Sequence, residues 1–242
     1  MFTRASVHWA ERMVAMRSWN GFLCLRKLPS CGYSLSRIWR ILFMRLRSWD
    51  MTYEWVFDKL KYCMCELLIG GLVADRKVVL VVAFKGFRDE ELFDTQTELE
   101  NAGVKTIVAS THVGNATGIL GGIAEATMAI GQINVGEFGG IVFVGGVGAE
   151  AYFNDCKAQE LVRKFNADGK VVAAICIAPG ILANAGVLKG KKATAFPSEE
   201  GNLMEKGAIW TGQNVTVDGK IVTANGPKAA KEFGRKIAEC MD

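Results

Sequence analysis

The segment KVVLVVAF at residues 77–84 constrains the fold most. Such a continuous β-branched run is typical of a strand that is buried on both faces of a parallel sheet, since a half-exposed strand would alternate apolar and polar residues. The helical pattern RDEELFDTQTELENAG follows at 88–103, with acidic residues in its first turn and Gly103 at its end. A buried strand followed at once by a helix predicts a βα unit.

The same unit recurs along the chain. We predict further strands at 104–110, 139–146 and 170–176. We predict further helices at 156–167 and 178–186. Repeated βα units predict an α/β fold with a doubly wound, mainly parallel sheet sandwiched by helices.

The C-terminal residues carry a different pattern. VTVDGKIVTA at 215–224 is two alternating runs around Asp218-Gly219, which predicts a β-hairpin. Gly226-Pro227 then begins a last helix that is expected to bury Phe233 and Ile237.

Charge divides the chain into two regions. Residues 1–74 carry 11 Lys/Arg and 5 Asp/Glu, a net charge of +6, whereas residues 75–242 carry 18 and 20, a net charge of −2. Five of the six tryptophans also lie in the first region. We therefore predict a basic N-terminal extension of unknown structure at 1–74 and one domain at 75–242.

The extension allows several interpretations. Residues 34–49 have the pattern of a short basic amphipathic helix, which fits a membrane-surface helix, an organelle-targeting segment or a nucleic-acid partner. The alternative without a function is that this segment is a non-native extension upstream of the true start of the protein at Met51 or Met64. The most hydrophobic window, 55–73, contains four charged residues, so no transmembrane span is predicted. The Cys63-x-Cys65 pair has no matching second pair, so no metal site is predicted.

The seven cysteines indicate the compartment. Seven is an odd number, and their spacing does not match a disulfide scaffold. We expect a reducing, cytoplasmic setting for the domain.

Candidate functional residues lie where the predicted strands end. The segments GFRDEEL, GGVGAE and AICIAPG follow three strands, and ligands of open parallel sheets bind beyond those carboxyl ends. Cys176 ends a strand directly before a helix, so we expect a sharp turn and a thiol pKa below the reference of about 8.5. Backbone amides after Cys176 and at Gly145-Gly146 are candidates to bind an oxyanion. An inert buried cysteine and a plain glycine turn fit the same spacing.

The string VVAAICIAPGILANAGVLKGKKATAFP, with GIVFVGGVGAE and FRDEELFDTQTELENAG upstream, resembles the PfpI/ThiJ family of the class I glutamine amidotransferase-like superfamily, which includes C56-type peptidases. The resemblance covers residues 75–242 and implies a flavodoxin-like fold.

The resemblance also implies residue roles. Cys176 would be the cysteine of the nucleophile elbow, and Glu91 the acidic residue that hydrogen-bonds it. Gly146 and the amide of Ile177 would form the oxyanion hole. Glu150 matches a carboxylate that orients a histidine in peptidase-like members, often across a subunit contact.

That histidine is absent from this sequence. Ile177 and Phe196 occupy the two positions where family members place it, and the chain's only histidines are His8 and His112. His112 is a candidate base, with an ordinary loop histidine as its alternative.

The expected function is a reaction that Cys176 can catalyse without a neighbouring histidine. Addition of Cys176 to small reactive carbonyls such as methylglyoxal, a glyoxalase-like or deglycase-like activity, needs only one carboxyl group as a proton carrier. Two alternatives are an intracellular PfpI-type cysteine peptidase acting on peptides and a redox-responsive stress protein or chaperone without turnover.

The resemblance further implies a homo-oligomer, either a dimer or a hexamer. No nucleic-acid partner is expected for 75–242. No cofactor or metal is expected either, because the glycine spacing at 118–126 does not match the dinucleotide pattern G-x-G-x-x-G.

Overall fold

The structure is a computed structural model that describes residues 76–241. The helix predicted at 34–49, the window at 55–73, the Cys63-x-Cys65 pair and the predicted boundary after residue 74 lie outside these residues.

Twelve strands and five α-helices make up the described part of the chain. The strands are β1 Lys77–Val81, β2 Lys85–Phe87, β3 Lys105–Ser110, β4 Gly114–Gly118, β5 Ile123–Ala126, β6 Met128–Ala129, β7 Gly140–Phe143, β8 Val171–Ile175, β9 Lys192–Ala193, β10 Ile209–Trp210, β11 Val215–Asp218 and β12 Ile221–Ala224. The helices are α1 Asp89–Asn101, α2 Cys156–Ala167, α3 Pro179–Asn184, α4 Glu200–Glu205 and α5 Ala230–Met241.

Seven strands form the central sheet in the order β11-β12-β8-β7-β1-β3-β6. Every neighbouring pair is parallel except the hairpin β11–β12. The α/β fold class and the C-terminal hairpin are therefore confirmed. The strand order reverses direction beside β1. Because β1, β7 and β8 are parallel, their carboxyl ends lie at one edge of the sheet.

Strand β1 explains why the opening run is apolar throughout. Val79 and Val81 pack into one core and Val78 and Leu80 into the other, because successive residues of a strand point to opposite faces. Helix α2 packs on the first face and helices α1 and α5 on the second, where Phe233 and Ile237 are fully buried as predicted. Burial on both sides is what the doubly wound fold requires.

The topology differs from the prediction in several parts, including the short strands β6, β9 and β10, which were not predicted. The first strand does not run to residue 84: β1 ends at Val81, and β2 leaves the central sheet to pair with β4. The hairpin β4–β5 was not predicted, because GNATG carries no apolar run and its sheet is only three strands wide.

Within residues 76–241, no helix is long and apolar enough to cross a membrane.

Candidate functional site

Cys176 lies in a strained turn between β8 and α3. Its φ of 63° is left-handed, and no other non-glycine residue of the described chain has a positive φ. The turn is held by two backbone hydrogen bonds: the Cys176 amide donates to the carbonyl of Ala224 (2.9 Å), and the Phe196 amide donates to the carbonyl of Cys176 (2.7 Å). Such strain persists only where the surroundings enforce it, and it is concentrated at functional sites.

Glu91 is the carboxyl group beside this turn. It lies in the first turn of α1 and is 0% exposed. Its Oε2 accepts a hydrogen bond from the Gly145 amide (3.1 Å), while its Oε1 is buried without a hydrogen-bond partner. A Cβ placed on Gly145 would lie 2.5 Å from the Cβ of Cys176 and 2.6 Å from Oε2 of Glu91. Cysteine, glutamate and glycine are therefore packed against one another.

Gly146 completes the wall of the site. Its φ is +98°, and an added Cβ would lie 2.5 Å from the Arg88 nitrogen and the Gly86 oxygen. A side chain is thus excluded by both conformation and space. The amides of Gly146 and Ile177 interact with the sulfur of Cys176. The structure brings together the five predicted residues Glu91, Gly145, Gly146, Cys176 and Ile177.

The electrostatics of Glu91 follow from its burial. Burial raises the pKa of Glu91 to about 7, and its interactions with Cys176, the Gly145 amide and the positive charge of Arg88 oppose the rise only in part. This carboxyl group therefore changes its charge near neutral pH.

The thiol is not the low-pKa group that the sequence suggested. Burial and the negative charge of Glu91 raise the pKa of Cys176 to about 12, against the amides of Gly146 and Ile177. Helix α3 has only six residues, which limits its dipole. The expected lowering of the thiol pKa is therefore wrong. Because Glu91 and Cys176 interact, the pKa of each group depends on whether the other carries its proton.

His112 and Glu150 lie apart from this cluster. His112 is exposed, and its ring lies 3.6 Å from that of Phe84, beside a cavity of about 320 Å³ that Cys176 does not line. Glu150 is exposed on the 3₁₀ turn Val147–Tyr152. Within residues 76–241, no hydrogen bond or ion pair joins either side chain to Cys176, and their roles stay predictions.

Asp89 is a residue that the sequence analysis missed. Its carboxylate accepts hydrogen bonds from the amides of Leu120 (2.8 Å) and Gly122 (2.6 Å), in the turn between β4 and β5. A Cβ on Gly118 or Gly122 would lie 2.4 or 2.3 Å from its Oδ1. Gly118 and Gly122 therefore leave the space that this contact needs, and an acid near a glycine-rich turn was the available signal.

Metal ligands are not clustered in the described chain: residues 76–241 hold no group of three or more His, Cys, Asp or Glu side chains that could bind a metal ion.

The chain is similar in sequence to several known proteins. Deglycase PfpI of Pyrococcus furiosus is 34% identical over 163 residues, which cover 67% of this chain and 98% of that protein. An uncharacterized protein of Methanocaldococcus jannaschii is 42% identical over 169 residues, covering 69% of this chain and 82% of that protein.

The fold is also similar to those of solved structures. A ThiJ/PfpI domain protein from Brachyspira murdochii has a TM-score of 0.67 and 34% identity, over 69% of this chain and 96% of that one. Drosophila melanogaster DJ-1beta has a TM-score of 0.63 and 29% identity, over 67% and 88%. The DJ-1/PfpI family matches residues 76–240, and the chain belongs to that family.

Proposed function

We propose that the protein is a cysteine-dependent enzyme acting on small reactive 2-oxoaldehydes such as methylglyoxal. The observation that carries the proposal is the packing of the buried Glu91 carboxyl group beside Cys176, where burial raises the pKa of Glu91 to about 7. Several relatives, including that of Pyrococcus furiosus, are named deglycases, which supports an enzymatic role.

The first step transfers the thiol proton of Cys176 to Glu91. The sulfur of Cys176 bonds to the aldehyde carbon as Glu91 takes the thiol proton, and the C=O π electrons move to oxygen. Amides of Gly146 and Ile177 stabilise this oxyanion, and Glu91 returns the proton to give a hemithioacetal. No atom is lost in this addition.

Completion of the reaction consumes one water. The proton on the former aldehyde carbon is removed, and the C–H electron pair forms an enediol with the neighbouring carbonyl, whose oxygen takes up a proton. Protonation of the second carbon and loss of the hydroxyl proton of the first then give a thioester, so that the first carbon is oxidised and the second reduced. Hydrolysis of the resulting thioester releases a 2-hydroxy acid and restores the thiol. Glu91 is the proton carrier throughout, because its pKa near 7 suits both directions of transfer.

Peptide hydrolysis fits the site less well. An amine leaving group needs a proton from a positioned acid, usually histidine. Within residues 76–241, His112 is the only histidine and it does not contact Cys176. The peptidase and the redox-responsive protein are therefore the alternatives.

Turnover of methylglyoxal to lactate by the full chain tests the proposal. We expect Cys176→Ser to reduce kcat/KM to the background rate and Glu91→Gln to reduce it by about 10²- to 10⁴-fold, the usual contribution of a positioned acid/base. Cys156→Ser, which alters an exposed thiol, is the matched control and should retain wild-type activity. Full activity in Cys176→Ser would disprove the proposal.

A further inference from the structure

Three apolar side chains adjoin the reactive cluster without being buried in the core. Val147 is 70% exposed, Phe196 is 45% exposed, and Ile177 is half-buried. Single exposed apolar residues are common and need no explanation. Here, however, all three adjoin residues of the site. Val147 follows Gly146, Ile177 follows Cys176, and the Phe196 amide is hydrogen-bonded to Cys176.

Phe196 is fixed to the nucleophile through the backbone. Its amide donates to the carbonyl of Cys176 at 2.7 Å. Its ring lies beside Gly226, where an added Cβ would be 3.9 Å from Cδ2 of Phe196. Gly226 comes two residues after Ala224, whose carbonyl accepts the Cys176 amide. The backbone of Phe196 is therefore fixed at the elbow, and its ring lies beside Gly226.

Val147 is fixed to the oxyanion-binding amide. It follows Gly146 directly and begins the 3₁₀ turn Val147–Tyr152. Its Cγ2 would lie 3.3 Å from a Cβ added to Gly86, so it packs on the segment that precedes α1. Val147 and Phe196 thus belong to different segments that both border Cys176.

The charged side chains next to Glu91 on α1 are already paired. Arg88 Nε lies 2.8 Å from Glu90 Oε2, and Arg88 Nη2 donates to Glu90 Oε1 at 3.1 Å. Opening this ion pair to bind a charged substrate would forfeit the charge pairing and the hydrogen bond from Nη2 to Oε1. An apolar substituent makes no such demand.

We propose that Val147, Ile177 and Phe196 form an apolar rim around Cys176 that selects substrates with an apolar substituent. This inference rests on the proposed function and names its substrate class: 2-oxoaldehydes with an alkyl or aryl group, in preference to polar or charged glycated compounds. Contact with a hydrophobic wall discriminates by about 10-fold or more in kcat/KM.

Alkylation tests the rim without requiring turnover. The full chain is treated with iodoacetamide and with its N-phenyl analogue, iodoacetanilide, and each cysteine is quantified by mass spectrometry. Exposed Cys156 supplies the intrinsic rate ratio of the two reagents. We expect the iodoacetanilide preference of Cys176 to exceed that of Cys156 by about 10-fold.

Substitutions identify the side chains responsible. Phe196→Ala and Val147→Ala should each lower the Cys176 preference toward that of Cys156, and Phe196→Leu should retain most of it. Met204→Ala is the matched control, since Met204 is 56% exposed on α4 and adjoins none of the site residues named above. Equal preferences at the two cysteines, or no loss in Phe196→Ala, would overturn the rim.

Turnover separates this inference from the proposed function. The ratio of kcat/KM for phenylglyoxal to that for methylglyoxal is compared between Phe196→Ala and wild type, which cancels the intrinsic reactivity of the two aldehydes. A drop of about 10-fold supports the rim. If neither aldehyde is turned over but the alkylation preference persists, the proposed function fails and the rim stands. If the variants change only the oligomeric state in sedimentation, the rim is a contact between copies and this inference fails.

Discussion

Two buried carboxyl groups lie two residues apart in the first turn of α1, and their surroundings are opposite. Asp89 is 7% exposed, and its carboxylate accepts two backbone amides. Glu91 is 0% exposed, accepts one amide, and has a second oxygen without a hydrogen-bond partner. Burial alone therefore does not distinguish a structural carboxylate from a reactive one.

The difference lies in the number of hydrogen bonds that each carboxyl group accepts. Amides that donate to both oxygens of Asp89 take the place of the water it lost on folding, so this side chain anchors the β4–β5 turn. Glu91 has fewer donors, and burial raises its pKa to about 7. An incompletely solvated carboxyl group beside a thiol can gain and lose a proton near neutral pH, which is what catalysis of proton transfer requires.

The largest expected effect is on stability at Glu91. Its pKa is raised in the folded state from 4.5 to about 7, so the folded protein binds the extra proton between these values. The contribution of Glu91 to stability is therefore fully present below pH 4.5 and is lost as pH rises through 7, by about 3 kcal/mol in all. Urea titrations at pH 5 and pH 8 measure the unfolding free energies of wild type and Glu91→Gln. From pH 5 to pH 8, the unfolding free energy of Glu91→Gln should rise relative to that of wild type. A difference independent of pH would contradict the raised pKa.

The matched change at Asp89 should have the opposite sign. Asp89→Asn replaces one acceptor oxygen with an NH₂ group that faces a backbone amide of the turn. Loss of a buried hydrogen bond of this kind costs about 1–3 kcal/mol. We expect Asp89→Asn to lower the unfolding free energy at pH 8 while kcat/KM stays near wild type. Equal stabilities of Asp89→Asn and wild type would show that the turn does not depend on the charge.

The smallest effect separates the two carboxyl groups by reactivity. The rate of Cys176 alkylation by iodoacetamide should rise with a midpoint near pH 7, as the pair loses its first proton. Asp89→Asn should retain this midpoint, and Glu91→Gln should abolish it. A wild-type profile that rises only near the ordinary thiol pKa of about 8.5 would show that Glu91 and Cys176 are not coupled.

The parts of the fold that the sequence predicted are those with strong local signals. Helix α2 was predicted at 156–167 and is Cys156–Ala167, because an Asp155 cap and an apolar face define it locally. The hairpin at Asp218-Gly219 was likewise predicted, since Gly219 takes the positive φ that its turn requires. The hairpin β4–β5 was missed because its register depends on β2 and on Asp89, which lies 25 residues before it.

The site shows the same division. The sequence by itself predicted the α/β class and the segments that follow its strands, and the family resemblance singled out Cys176 among them, since apolar runs, helical periods and glycine motifs are local properties. Only the tertiary structure decided the charge state of the pair. Burial of Glu91 against Cys176 and the single amide left to it set a pKa near 7, and this solvation depends on atoms more than fifty residues apart.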